Sequence, residues 1–288
     1  MTAVSILDRE EYIEQAYFFR ALRERLAANL PVQEVLEHVH EEILSTTRLP
    51  LAIQFLATEV KHSGLLSTGF AQLPHYFTAF QTFVIRQTEL EKVRLSFAMA
   101  LLVLEREASY RAGEATPAGL FVYQFEVLSR NRLGYDEGLA AMAQDPLYPG
   151  AWREYLELVR RQLGAVDFAD LIHLRSELYV QEQRRREPSY QAPRPPLFGE
   201  KEGKIARANR GRDPLYLFAA LQRQLGYPEV PRPRAPDDLS AKVATLQARL
   251  RELEVRLKLV ESELRGQVDL TQFLGKPELL KGPGGDKD

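Results

Sequence analysis

Cysteine is absent from the 288 residues, which excludes disulfides, thiolate metal sites and a cysteine nucleophile, and fits a reducing compartment. Long apolar runs are absent as well. The longest, Phe97 to Leu104, falls far below the ~18 residues that a membrane span requires. Met1 to Arg9 carries no basic-then-apolar signal pattern, so the expectation is a chain that does not span a membrane and resides in the cytoplasm. A surplus of one charge is also missing: 38 basic residues stand against 40 acidic ones, a net charge of -2, which gives no general attraction to nucleic acid or anionic lipid. Period-two alternation is lacking over any useful length, so the expected fold class is all-α.

What is present is helical periodicity broken by well-placed prolines and glycines. Asp8 followed by Glu11 has the form of a capping box, and Tyr12, Ala16, Phe19, Leu22 and Leu26 then recur at helical spacing. Pro31 suits the start of a second helix with the stripe Val32, Val35, Leu36, Val39 and Ile43; Pro50 opens a third with Ala52, Phe55, Leu56 and Val60, stopped by Gly64. Phe77 to Tyr110 reads as a pair of longer helices broken near Glu89 to Arg94, with Tyr76, Phe77, Phe80 and Phe83 as core. These elements make a first bundle over 8–112, closed by a linker from Arg111 to Pro117.

A second helical segment, 118–183, can be read as a partial repeat of the first. Phe121, Leu133, Glu137 and Leu139 stand 103 positions after Phe18, Leu30, Glu34 and Leu36, and Tyr155, Leu156 and Gly164 stand 100 after Phe55, Leu56 and Gly64. From 184 to 238 the prolines 188, 193, 195, 196, 228, 231, 233 and 236 predict an extended spacer, interrupted by a short amphipathic helix over 213–227. The tail 266–288, ending near Gly282-Pro283-Gly284-Gly285, is expected to be disordered.

Between spacer and tail, 239–265 carries the clearest physical pattern in the chain. Leu239, Val243, Leu246, Leu250, Leu253, Leu257, Val260 and Leu264 follow steps of 4, 3, 4, 3, 4, 3 and 4, the spacing of a coiled-coil seam. With Val243 and Leu250 at a positions, Arg249 faces Glu254, and Arg256 faces Glu261, of a parallel partner. Each exposed pair contributes only ~0.3 to 0.5 kcal/mol, but the signs favour parallel chains. Mixed Leu and Val at a and d leaves dimer and trimer both open. A single long helix folding back on its own bundle is the other use of such a stripe.

Chemistry-bearing patterns are few. Glu37 to His40 and Glu59 to His62 have the Glu-x-x-His spacing of di-iron bundles, yet both pairs stand off the apolar stripes and are expected at the surface. Arg184-Arg185-Arg186 with Lys201, Lys204, Arg207, Arg210 and Arg212 could hold phosphates, with Tyr190 or Phe198 stacking on bases, but Glu182, Glu187, Glu200, Glu202 and Asp213 are interleaved. Gly199 to Ile205 imitates a phosphate loop, one residue short and with Ile205 where Ser or Thr must bind magnesium. The histidines at 38, 40, 62, 75 and 173 suggest neither a triad nor a zinc site. No catalytic residue, cofactor or metal is expected.

Some of these residues also carry a likeness. Phe18 to Val32, ending in Ala28-Asn29-Leu30-Pro31-Val32, together with Gly64, Leu66-Ser67, Pro74-His75-Tyr76-Phe77 and Glu89, resembles the cytoplasmic helical domain of the type II secretion system F protein family, which also occurs in type IV pilus inner-membrane platforms. The resemblance covers roughly 10–110 and, more faintly, 118–180, and the family is built from two copies of this domain. Thr88 and Lys92 stand where the family has glycines around Glu89, and the family's membrane spans are missing, so the chain is not expected to be the platform itself. The resemblance implies a six-helix bundle that binds other components of such a machine. The combined expectation is a non-enzymatic cytoplasmic adaptor that multimerises by a parallel coiled coil, dimer or trimer, and binds a protein partner. The alternative is a nucleic-acid-associated coiled-coil protein using the basic spacer.

Overall fold

Residues 6–90, 95–113 and 115–232, together with Leu250, are described by a computed structural model, and their regular structure is all helical. The first six helices are α1 (Arg9–Ala27), α2 (Val32–Val39), α3 (Leu49–Ser63), α4 (Leu66–Gln72), α5 (Ala79–Glu89) and α6 (Phe97–Ala112). Successive helices pack on one another, and α6 returns along the whole of α1, where Arg23 reaches Glu105 at 2.9 Å and the Arg9 Nε donates to the Ala112 carbonyl at 3.1 Å. Phe18, Phe19, Leu22, Leu36, Ile53, Leu56, Phe80 and Leu104 fill the space between them and are fully buried. Pro50 lies in the first turn of α3, and Gly64 ends that helix in the left-handed region at φ 72°, where glycine has no Cβ penalty.

Asp8 precedes α1, but its side chain caps nothing. The expected capping box with Glu11 does not form, because Glu11 is turned inward. Its carboxylate accepts from the Arg48 backbone N–H at 2.8 Å and the Tyr76 hydroxyl at 2.7 Å. A true capping box occurs instead at Thr78 and Gln81, opening α5.

Seven more helices follow: α7 (Pro117–Arg130), α8 (Tyr135–Met142), α9 (Gly150–Gln162), α10 (Phe168–Leu174), α11 (Glu177–Arg186), α12 (Glu200–Ala208) and α13 (Pro214–Leu225). Local geometry recurs at the spacing noted above. Asn29 and Arg132, which stand 103 apart, are the two non-glycine residues with positive φ among the described residues, at 64° and 53°. The next N–H in each turn, Leu30 and Leu133, bonds five residues back to Arg25 and Leu128. The helices after these turns, α2 and α8, are each eight residues long and begin at 32 and 135. Gly64 and Gly164, which stand 100 apart, both have positive φ.

The stretch 184–238 differs from the expected spacer. Its described part is folded into the same unit as the bundles: α12 packs on α10 and α11, and α13 lies against α7. Phe198, Ala206, Leu217, Phe218, Leu221, Tyr227 and Val230 are buried. Prolines remove N–H donors and extend the backbone, but they do not prevent an extended segment from delivering aromatic side chains to a core. Arg111, assigned above to a linker, is the last-turn residue of α6 and is buried. Among the described residues no helix is long and apolar enough to cross a membrane.

Of the heptad residues only Leu250 is described; it is helical and exposed. Leu239, Val243, Leu246, Leu253, Leu257, Val260 and Leu264, with Arg249, Glu254, Arg256 and Glu261, lie outside the described residues, as does the tail 266–288.

Candidate docking surface and its buried supports

Residues 64–89 hold the later positions of the family likeness, Gly64, Leu66-Ser67, Pro74 to Phe77 and Glu89. The Glu89 carboxylate, at the end of α5, accepts from the backbone N–H groups of Leu66 at 2.6 Å and Ser67 at 3.2 Å. It thereby satisfies two donors that the first turn of α4 leaves open. Phe77 stacks on Phe70 with centroids 3.9 Å apart, fixing the turn after Pro74. Glu89→Ala is expected to destabilise the chain by about 1 kcal/mol, the usual cost of a lost helix cap, as measured by urea unfolding.

Two hollows flank this staple. One, of about 410 Å³, is lined by Phe70, Phe77, Phe83 and Arg86 on one side and by Glu137 and Ala140 of α8, with Gln144 just beyond it, on the other. The second, of about 430 Å³, shares Ala71 and Arg86 with the first and continues past Thr68, Leu65 and Leu90. Leu65 and Leu90 are exposed by about two-fifths, at 43% and 41%, so apolar side chains reach solvent at the rim. Arg86 is exposed and makes no ion pair among the described residues. Largely apolar walls with the exposed Arg86 and Glu137 at the surface form a face suited to binding.

The cleft joins the two halves of the unit, and a buried polar network behind it ties those halves together. Arg111 of α6 donates to Glu107 Oε1 at 2.6 and 3.0 Å, to Asp145 Oδ1 at 3.2 Å, and also to Asp145 Oδ2. Gln124 of α7 donates to the same Glu107 oxygen at 3.1 Å and accepts from the Tyr148 hydroxyl at 2.8 Å. Burial would lower the Arg111 pKa, but the carboxylates of Asp145 and Glu107 overcome it and hold the guanidinium charged. Burial, foremost, raises the Glu107 pKa, with the Asp145 charge adding to it and Arg111 opposing it. Its Oε2 meets no partner among the described residues. Sequence reasoning missed this network; the i,i+4 pair Glu107 and Arg111 was its one visible sign.

A raised folded pKa means that Glu107 contributes stability below its unfolded value and withdraws it as pH rises through the higher folded value. Glu107→Gln keeps an acceptor for Arg111 without a titrating charge. The variant is expected to lose less stability than the parent on going from the ordinary carboxylate range to pH 8, a difference read by thermal melts across pH.

The residues of the metal and nucleic-acid patterns fall elsewhere. Glu37 is exposed and accepts from Gln33 at 2.9 Å, while Glu59 accepts from Gln72 at 2.9 Å. Among the described residues no three His, Asp or Glu side chains gather as metal ligands. Lys204 pairs with Glu200 at 2.6 Å, Arg207 with Glu182, and Arg210 with Asp170, which leaves fewer cations for phosphates. Phe198 is buried among Phe121, Trp152 and Tyr155 and is not available to stack on a base. Gly199 to Ile205 is no phosphate loop but the start of α12. There Gly203 lets the helix approach Ser176 and Leu178 so closely that a Cβ would clash with both.

Comparison with family models, with curated proteins and with solved structures finds no match.

Proposed function

We propose that this chain is a non-enzymatic adaptor: two helical bundles of the secretion F-protein type present the cleft around Arg86 to a protein partner, and a parallel coiled coil over 239–264 gathers several copies. The observation that carries the reading is the Glu89 staple on Leu66 and Ser67, since three positions of the family likeness meet there in one hydrogen-bonded corner. The recurrence of the Asn29 and Arg132 turns adds support for a duplicated bundle. The partner belongs to type II secretion or type IV pilus-like machinery, and the adaptor works in the cytoplasm. Joining bundles through a coiled coil multiplies weak contacts into avidity without new surface.

Removing residues 236–288 is expected to convert a dimer or trimer into monomers by light scattering, with the helical signal of the bundles retained. Monomers in the intact chain at the same concentration would overturn the multimeric part. Strong, salt-sensitive retention on DNA, abolished by neutralising Arg184, Arg185 and Arg186, would overturn the protein-docking part.

A further inference from the structure

Arg175 stands just after α10 and is only 7% exposed. Its Nη2 donates to the Pro195 carbonyl at 3.1 Å, but its Nε and Nη1, both buried, meet no acceptor among the described residues. The hydroxyl of Tyr155, fully buried on α9, is likewise without a partner there. The two groups are neighbours, with the guanidinium carbon 5.5 Å from the Tyr155 ring centroid. The buried Arg111 has two carboxylates and the largely buried Arg130 has Glu126, whereas Arg175 forms no ion pair among the described residues. A buried cation without a counter-charge is costly, and unsatisfied buried donors are rare enough to require a cause.

What covers Arg175 is thin. Residues 191–196 are exposed except for a half-buried Ala192, and Pro193, Pro195 and Pro196 have no N–H to donate. Between Tyr190 and Leu197, the bond from Arg175 to Pro195 is the one hydrogen bond that segment makes among the described residues. At its far end the segment is anchored firmly: Leu197 and Phe198 N–H both donate to the Arg175 carbonyl, at 2.7 and 3.1 Å. Burial, foremost, lowers the Arg175 pKa, the Arg194 charge adds to this, and Tyr155 and Glu154 oppose it.

We propose that Arg175 and Tyr155 form a binding site for a phosphate-class oxyanion, entered by displacement of residues 191–196. An oxyanion supplies the acceptors that two guanidinium N–H groups and a phenol lack, and the counter-charge that the buried Arg175 is without. The ligand in the cell is either free phosphate or a phosphoryl group on a larger molecule. Its recognition chemistry is the same.

The test uses the full chain and inorganic phosphate, with chloride at matched ionic strength as reference, read by calorimetric titration and thermal melts. Saturable phosphate binding is expected, accompanied by a rise in Tm. Phosphate also stabilises folded proteins generally by exclusion from their surface, so the decisive reading is the difference between parent and variants. Arg175→Met should abolish the saturable component. Tyr155→Phe should leave Tm in chloride unchanged or higher, since it removes an unpartnered hydroxyl, while weakening phosphate about tenfold, as loss of one hydrogen bond to a charged ligand does. Should Arg175→Met fail to fold, the Tyr155 variant decides. The proposal falls if phosphate gives no saturable binding in the parent or if these variants bind it like the parent. It falls equally if Tyr155→Phe lowers Tm in chloride, the behaviour of a hydroxyl satisfied by an internal water. A saturating phosphoryl compound that competes with inorganic phosphate would identify the larger ligand as the source.

Discussion

Arg111→Met is expected to destabilise the folded chain by about 3 to 5 kcal/mol, the range seen when one member of a buried ionic set is removed. Arg111, Glu107 and Asp145 are all essentially excluded from water, with side chains between 0 and 3% exposed. One guanidinium faces two carboxylates, so its loss leaves two buried acids with no cation. Both must then take up protons or draw in water, and either outcome loosens Gln124 and Tyr148, which hang on the same set. Methionine fills much of the arginine volume, so the loss reports charge and hydrogen bonding more than a cavity. Neutralising the whole set, as Arg111→Met with Glu107→Gln and Asp145→Asn, should recover most of the stability, because an uncharged network of similar shape does not carry the desolvation penalty. Urea unfolding at pH 7 measures both variants. A loss below about 1 kcal/mol in the single variant would mean that the set is penetrated by solvent and does not tie the halves together.

The position of Arg111 shows where sequence reasoning stops. Gly113 and Pro117 nearby have the composition of a linker, and Asp145, the partner that makes Arg111 a core residue, is 34 positions away. Nothing local announces it. Glu11 misleads in a related way. At the third place after Asp8 it has the form of a cap, yet its carboxylate is used by Arg48 and Tyr76, which are 37 and 65 residues distant. The helices of the first half were legible because their apolar stripes are regular and Pro31, Pro50 and Gly64 punctuate them where backbone geometry requires. Even there the packed face of α3 is shifted: Ile53 is buried and Phe55 only half so. The staple at Glu89 was not legible, since no period or spacing links residue 89 to residues 66 and 67. The cleft around Arg86 was not legible at all, because its two walls come from different halves of the chain.

The second large effect is expected at Phe121, and it bears on the proline-rich stretch after α11. The Phe121 ring lies at the centre of an aromatic group, with centroids 5.4 to 6.0 Å from those of Phe125, Trp152, Tyr155, Phe168 and Phe198. Phe121→Ala is expected to destabilise by about 3 to 5 kcal/mol, since five rings of a close-packed core cannot all collapse into the space left. Phe198 is the member of this group contributed by the proline-rich segment, and it anchors that segment beside Arg175. The same substitution should therefore speed tryptic cleavage at Arg184, Arg185 and Arg186, at the start of that segment, under conditions where the bundles remain folded, because local opening there draws on fewer contacts than global unfolding. Phe70→Ala provides the contrast. It removes the stack on Phe77 in the first half and should destabilise comparably, yet at equal residual stability it should leave cleavage at those arginines at the parental rate. If both variants accelerate it equally, the segment opens only with the whole unit, and any ligand reaching Arg175 must wait for global unfolding. If only Phe121→Ala does so, the segment is a local cover held by one aromatic anchor, which is the mechanical property that an oxyanion site beneath it requires.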